Sequence, residues 1–439
     1  MKGQLTINHN FYQIQLTMKR IILLAVLAMG TLNLFAQDTK TAKKFLDAKD
    51  FAKAKDAIDQ TLATDKGTKD WEAWFVKAKV YGGLPANEAT KSLVPDARLV
   101  AFEALKKAFE LNSTLALLML SQENFKPVFN LYEGYYGEGA AFFNAEKYED
   151  AFNSYKNANT IGEYIHKNGW ALSALDTSLV FMTGASANNA KKLDDAAFYY
   201  GKLVDANVAI PDYVPAYKFI VYYFYNDKKD DAQFHKYLEA GKKVFPKEKY
   251  FDEVEIEYLD KKGDKAGVIK KYEDIIAKDP TDYDNTFYYA ATLFNMVYKD
   301  DAKLDNRAEL IGKSEKAFTK CTELKPGEMD AYLELGKSHY NQAVEFKDKA
   351  DLIKGKPGKP LTAEEQTTRK NLQAQAEKKL NDAIPFLEKA FTIMDAVPDK
   401  KAGAKAKGRS IAILLRDAYN FINKPDKAKI YDDALDRLK

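Results

Sequence analysis

Cysteine is nearly absent from this 439-residue chain: Cys321 stands alone, so no internal disulfide framework can form. Histidine is scarce too, with four residues at 9, 166, 235 and 339, none paired at metal-ligand spacing. No charge of one sign dominates. Lys2, Lys19 and Arg20 are the only charged residues in the first 36; removing those three from 67 basic residues leaves 64 against 64 acidic ones. A nucleic-acid binder would show a basic surplus, and this chain has none to offer a phosphate backbone. Long apolar runs are missing as well. The one clear run, Ile21 to Met29, is nine residues and rises about 14 Å as a helix, less than half of a bilayer core. The mature chain is therefore expected to carry no membrane span. No stretch of alternating β-branched residues competes with helical patterning.

The short apolar run has a definite context. Met18-Lys19-Arg20 precedes it, and Leu34-Phe35-Ala36-Gln37 follows. A basic head, a short apolar stretch and a small residue before a polar start describe a secretory signal peptide over residues 1–36, with cleavage after Ala36. Residues 1–17 fit no part of such a signal, so Met18 is the candidate start. No cysteine stands near the cut, which excludes a lipid anchor there. The expected address is the periplasm or the exterior.

Beyond Gln37 the chain repeats itself. In "YYGEGAAFFNAEKYEDAFNSYKNA" (135–158), Tyr135, Gly139, Phe142, Tyr148, Ala151, Tyr155 and Ala158 alternate large and small at helix–turn–helix spacing. The frame returns with Tyr332, Leu335, Gly336 and His339, and with Val268, Tyr272, Ile275 and Pro280. Partial echoes are Ala54/Ile58, Ala101/Leu105/Ala108, Gly184/Ala196/Tyr200, Ala383/Leu387/Ala390 and Leu415/Tyr419/Ala428. Another unit around Ala232 fits only with one extra residue. Small residues let helices approach where their ridges cross, and large ones fill the grooves beside them.

These residues resemble the tetratricopeptide repeat (TPR) family, whose unit is about 34 residues long. The resemblance implies an all-α solenoid of antiparallel helix pairs wound as a right-handed superhelix, with about nine units over residues 37–439. Insertions interrupt it near 82–95 and 347–370, the second broken by Pro357-Gly358-Lys359-Pro360; solvated mobile loops are expected at both.

Catalytic chemistry finds little support. Gly312-Lys313-Ser314 and Gly336-Lys337-Ser338 imitate the end of a phosphate loop, but Arg307 and Ala331 occupy the position of the required earlier glycine. In Gly137-Glu138-Gly139 the third glycine of a dinucleotide fingerprint is replaced by Phe142. Asp279, Asp282 and Asp284 lack the glycine and glutamate of a calcium loop and read as helix caps. Cys321 falls on a small core position of its unit. No catalytic residue, metal site or cofactor is expected, and the chain does not read as an enzyme.

In the first helix of each unit, three positions turn towards the inner curve of such solenoids. They select Phe75, Tyr136, Phe143, Phe181, Tyr217, Phe224, Tyr288 and Tyr340 as a candidate aromatic groove. Lys79 and Lys337 reach the same face without forming the basic carboxylate clamp of chaperone-binding relatives. The resemblance thus implies an exported, non-catalytic scaffold that holds a polypeptide along that groove. The alternative is an envelope protein that stacks a glycan or small ligand on the same aromatics.

Overall fold

The computed structural model describes residues 38–170, 172–298, 305–355, 360–398 and 401–439. Residues 1–36, where the sequence suggests a signal peptide, lie outside them, as do Pro357, Gly358 and Lys359. Nine helix pairs account for most of the described chain, besides a single helix and a short one at Asp65–Thr68, and no strand occurs among the described residues. The pairs are α1 (Thr39–Asp47) with α2 (Phe51–Leu62), and α3 (Trp71–Gly83) with α4 (Ala97–Leu111). A single helix, α5 (Ser113–Gln122), follows before α6 (Lys126–Asn144) pairs with α7 (Tyr148–Lys167). Next come α8 (Thr177–Asn189) with α9 (Leu193–Asp205), and α10 (Val214–Tyr222) with α11 (Asp231–Val244). The last four pairs are α12 (Tyr250–Lys261) with α13 (Lys265–Lys278), α14 (Tyr283–Tyr298) with α15 (Arg307–Leu324), α16 (Met329–Leu352) with α17 (Ala363–Asp395), and α18 (Ala402–Phe421) with α19 (Pro425–Arg437). The helices fall into two compact units, one ending at Glu248 and the other spanning Lys249–Lys439.

Local chemistry starts and stops these helices. Side chains of Asp38, Asp50, Asp70, Asn112, Asp176, Asp230 and Asp264 accept N–H bonds at their helix N-termini, satisfying donors that have no partner inside the helix. Thr362 and Glu365 close a reciprocal capping box on α17. The tight turn within a pair places one residue in the left-handed region: Lys49, Glu146, Lys191, Gly263 or Asn423. Only one of these five is glycine, so the turns carry almost no glycine signal in the sequence.

Small residues set the packing. A Cβ on Gly139 would stand 2.7 Å from the Tyr155 ring, and one on Gly184 would stand 2.6 Å from the Tyr200 ring. The two helices of each pair meet over the missing side chain, and the facing ring fills the crossing. Ala54, Ala101, Ala151, Ala158, Ala196, Ala383 and Ala390 are all fully buried at such crossings. Each glycine and its ring are 16 residues apart in these two pairs, because 155 − 139 and 200 − 184 agree. In the eighth pair Gly336 meets Leu387 instead, a separation of 51. Of the stretch near 347–370 expected as a loop, 347–352 and 363–370 are helix instead. They lengthen both helices: α16 runs 24 residues and α17 runs 33. The stretch 363–381 has no glycine or proline and is rich in Ala, Glu, Gln and Lys, so it continues the helix. Nor is 82–95 a free loop. A short 3-10 turn, Leu84–Ala86, is fully buried at Leu84, and the hydroxyl of buried Thr90 donates to the Leu84 carbonyl at 2.9 Å.

Tyrosine serves the packing in a second way. Tyr81, Tyr132, Tyr223 and Tyr289 donate hydroxyl protons to Asp59, Asp176, Asp194 and Glu273, and Tyr419 and Tyr431 both donate to Glu388. Each bond ties one helix to another. Burial, followed by these carboxylates, raises the hydroxyl pKa of Tyr81, Tyr132, Tyr289 and Tyr419. Burial alone pushes Tyr217 up to about 12, and burial with the nearby Glu163 does the same for Tyr199. The folded state thus holds these protons more tightly than the unfolded chain, where a phenol titrates near about 10. Their contribution to stability is complete below pH ~10 and lost as pH rises through about 12. The expected result is a melting temperature that falls steeply above pH ~10, with most of the 27 tyrosines ionising, by ultraviolet absorbance, only as helicity is lost. Smooth tyrosinate formation in a chain that stays folded would contradict it.

Candidate partner-binding cleft

The eight aromatic candidates do not form one exposed stripe. Phe75 is 1% exposed and Tyr217 is 0% exposed; both are core residues rather than groove residues. Helix α3 packs against α1, α2 and α4, and Phe75 lies in the core cluster that they share. Tyr217 sits on the inward face of α10 with Ala216, Ile220 and Val221. Its ring meets Phe245 edge-on at 5.0 Å, and its hydroxyl donates to the Val208 carbonyl. A 3-10 turn, Pro211–Tyr213, opens α10, and a π-helical turn, Tyr223–Lys228, closes it. The π turn accommodates an extra residue, and each irregular turn shifts which side chains face inward.

Five candidates are half-buried. Tyr136 lies edge-on to Tyr155 at 5.7 Å, and Phe143 edge-on to Tyr148 at 5.3 Å. Phe181 stacks on Tyr213 at 4.6 Å, and Phe224 stacks on Tyr237 at 5.3 Å. Tyr340 packs beside the core of its unit. These rings bridge helices and present an edge or face to solvent. Tyr288 alone is well exposed, at 58%.

The open space lies elsewhere on the same type of face. A cleft of about 850 Å³ in the first unit lies between α3 and α6, the first helices of neighbouring pairs. Its lining includes Ala78, Gly82, Gly83 and Gly134, which carry little or no side chain. Gly83 lies under the Phe51 ring and Gly134 under the Arg98 side chain, where a Cβ would come within 2.1 Å and 2.3 Å. Arg98 is held by Glu138 at 3.1 Å and lies over the Tyr135 ring. Lys79 lines the cleft and is paired with Glu123 at 2.7 Å. Lys49 and Lys126 line the rim with no carboxylate partner among the described residues, and the Asn130 amide is exposed there. Asn130, Lys126 and the glycines carry no motif; helix spacing of small residues on α3 and α6 was the signal available.

A smaller cleft of about 310 Å³ belongs to the second unit, between α14, α16 and α18. Lys337 lines it, paired with Glu334 at 2.7 Å. The residues that imitated chemical motifs have structural partners. Ser314 donates from α15 to the Ala290 carbonyl of α14, and Ser338 donates from α16 to Glu315 of α15. Asp282 accepts from Asn285 at the start of α14; burial opposes its charge, but the Asn285 backbone and side-chain bonds and Lys249 hold its pKa at about 2. Cys321 is fully buried, and burial pushes its thiol up to about 12, far from a nucleophile's range.

No family model matches the chain, and no curated protein matches it. Among solved structures it is similar to a TPR repeats protein from Bacteroides fragilis, at 19% identity over 65% of this chain and 99% of that one, TM-score 0.28. It is also similar to YrrB, a TPR protein with an unusual peptide-binding site, at 14% identity over 52% and 95%, TM-score 0.27. A third is the TPR2AB domain of yeast Sti1 in its pHSP90 complex, at 13% identity over 59% and 98%, TM-score 0.22. A likeness at this level assigns no ligand. The chain itself folds as an all-α, TPR-like array of antiparallel helix pairs. No described helix is long and apolar enough to cross a membrane.

Proposed function

We propose that this protein is an exported, non-catalytic scaffold that holds an extended polypeptide segment in the cleft between α3 and α6. The cleft carries the reading. Its exposed Asn130 amide offers one acceptor and two donors, the complement of a peptide unit. Lys49 and Lys126 would hold acidic side chains at the rim, with Glu133 limiting the positive surplus. Export rests on the basic head and short apolar run before Gln37.

One preparation tests both parts. Protein purified from its native host should have an intact mass beginning at Gln37 and should select binding peptides from a displayed random library. The double variant Lys126→Glu, Asn130→Ala should lose at least ~30-fold in affinity for those peptides, about 2 kcal/mol. Its melting temperature should not change, because both side chains are exposed. Equal binding by the variant removes the cleft from the proposal. A retained leader removes the export.

A further inference from the structure

Another cavity of the first unit, about 170 Å³, lies where α6, α7, α8 and α9 meet the segment 172–175. Asn159 of α7 lines it and is only 7% exposed. The Asn159 amide has a fixed orientation. Its Nδ2 donates to the Tyr155 carbonyl at 3.0 Å and to Thr183 Oγ1 at 2.7 Å, and a carbonyl can only accept. The Thr183 hydroxyl proton is itself given to the Leu179 carbonyl at 2.6 Å. Asn159 Oδ1 is therefore an acceptor with no donor among the described residues. A buried acceptor in that condition costs stability until a donor reaches it. Asp176 is the second anchor. It caps α8 through the Leu179 N–H and accepts the Tyr132 hydroxyl proton, which leaves acceptor capacity on both carboxylate oxygens. No Lys or Arg among the described residues pairs with it. Lys202, the one cation of the lining, is held by Glu163 at 2.8 Å and lies over the Phe198 ring.

We infer that this cavity is a binding site for a primary ammonium carried on an aliphatic stem. It shares no lining residue with the α3–α6 cleft. Its donors and acceptors select the head group. Asn159 Oδ1 and the Asp176 carboxylate both call for N–H donors, and an ammonium brings three, with charge-assisted bonds to the carboxylate. Charge selects the sign. Glu163 and Asp176 against Lys202 leave the lining one net negative charge, which repels an anion and favours a monocation. Leu172, Leu175, Leu179 and Val180 form an apolar wall for the stem. A cavity of about 150 Å³ takes a ring of about six carbons, so a lysine-like stem with its ammonium fits here, whereas a whole arginine side chain does not. A free alkylamine and the lysine side chain of a polypeptide offer the same group.

Calorimetric titration of the full chain with n-butylammonium tests this. The probe should saturate one site with a dissociation constant on the order of 0.1–1 mM. n-Butanol lacks the charge, butyrate reverses it, and tetramethylammonium keeps it without any N–H donor. Each should bind at least ~10-fold more weakly. Asp176→Asn retains a capping side chain and an acceptor for Tyr132 but loses the charge. Its affinity for n-butylammonium should fall at least ~10-fold with circular dichroism unchanged. The probe series on the wild type decides the matter even if that variant fails to fold. Nα-acetyl-lysine amide separates the two sources: binding as tight as the amine's assigns a lysine side chain, and binding of the amine alone assigns a small alkylamine. Absence of saturable n-butylammonium binding overturns the inference. So does equal binding of n-butanol, butyrate or tetramethylammonium, or a folded Asp176→Asn variant that binds as the wild type does.

Discussion

Replacing Tyr217 by alanine is expected to cost about 3–5 kcal/mol in the transition that unfolds the first unit. The residue is fully buried, its ring lies edge-on to Phe245, and its hydroxyl bonds to the carbonyl of Val208. Truncation removes the largest side chain on the inward face of α10 and opens a void that rigid neighbouring helices cannot close. It also strips the part-buried Val208 carbonyl of that donor, a further loss in the same direction. Urea unfolding followed by circular dichroism reads the effect. Affinity for a peptide in the α3–α6 cleft should be unchanged in the fraction that remains folded, since Tyr217 does not line that cleft. A loss under about 1 kcal/mol, or a selective loss of peptide affinity, would return Tyr217 to the list of binding residues.

Gly139→Leu should destabilise by about 2–3 kcal/mol, and do so locally. A Cβ there stands 2.7 Å from the Tyr155 ring, and the three heavy atoms beyond it cannot be admitted without parting α6 from α7. Because a repeat contacts mainly its neighbours, the damage should stay near the α6/α7 pair. Hydrogen exchange should show lost protection centred on 126–167, with α12 to α19 unaffected. Gly137, two residues away, supplies the control: nothing lies within 4 Å of its Cβ position. Gly137→Ala should stabilise by about 0.5–1 kcal/mol through helix propensity alone. Uniform deprotection of both units by Gly139→Leu would contradict a repeat array.

The sequence by itself determined the helix pairs, because their determinants are local. Gly139 with Tyr155 and Gly184 with Tyr200 sit 16 residues apart, one helix and one turn, and a glycine facing an aromatic at that distance has one sterically sensible use. Aspartate caps and fully buried alanines at a recurring spacing belong to the same short-range code. The cleft and the exposed leucines required the tertiary structure. Whether a first-helix aromatic is groove or core depends on how many neighbours cover its helix, and a rotation of one residue moves a side chain by about 100°. Phe75 lies on the side of α3 that several helices cover, and Tyr217 lies between two irregular turns that no periodicity reveals. The same holds at 347–370, where Pro357 and Pro360 marked a break but not the helical extensions on either side of it. On α5 the run of leucines reads as core, yet among the described residues no second helix covers Leu118, which is 51% exposed.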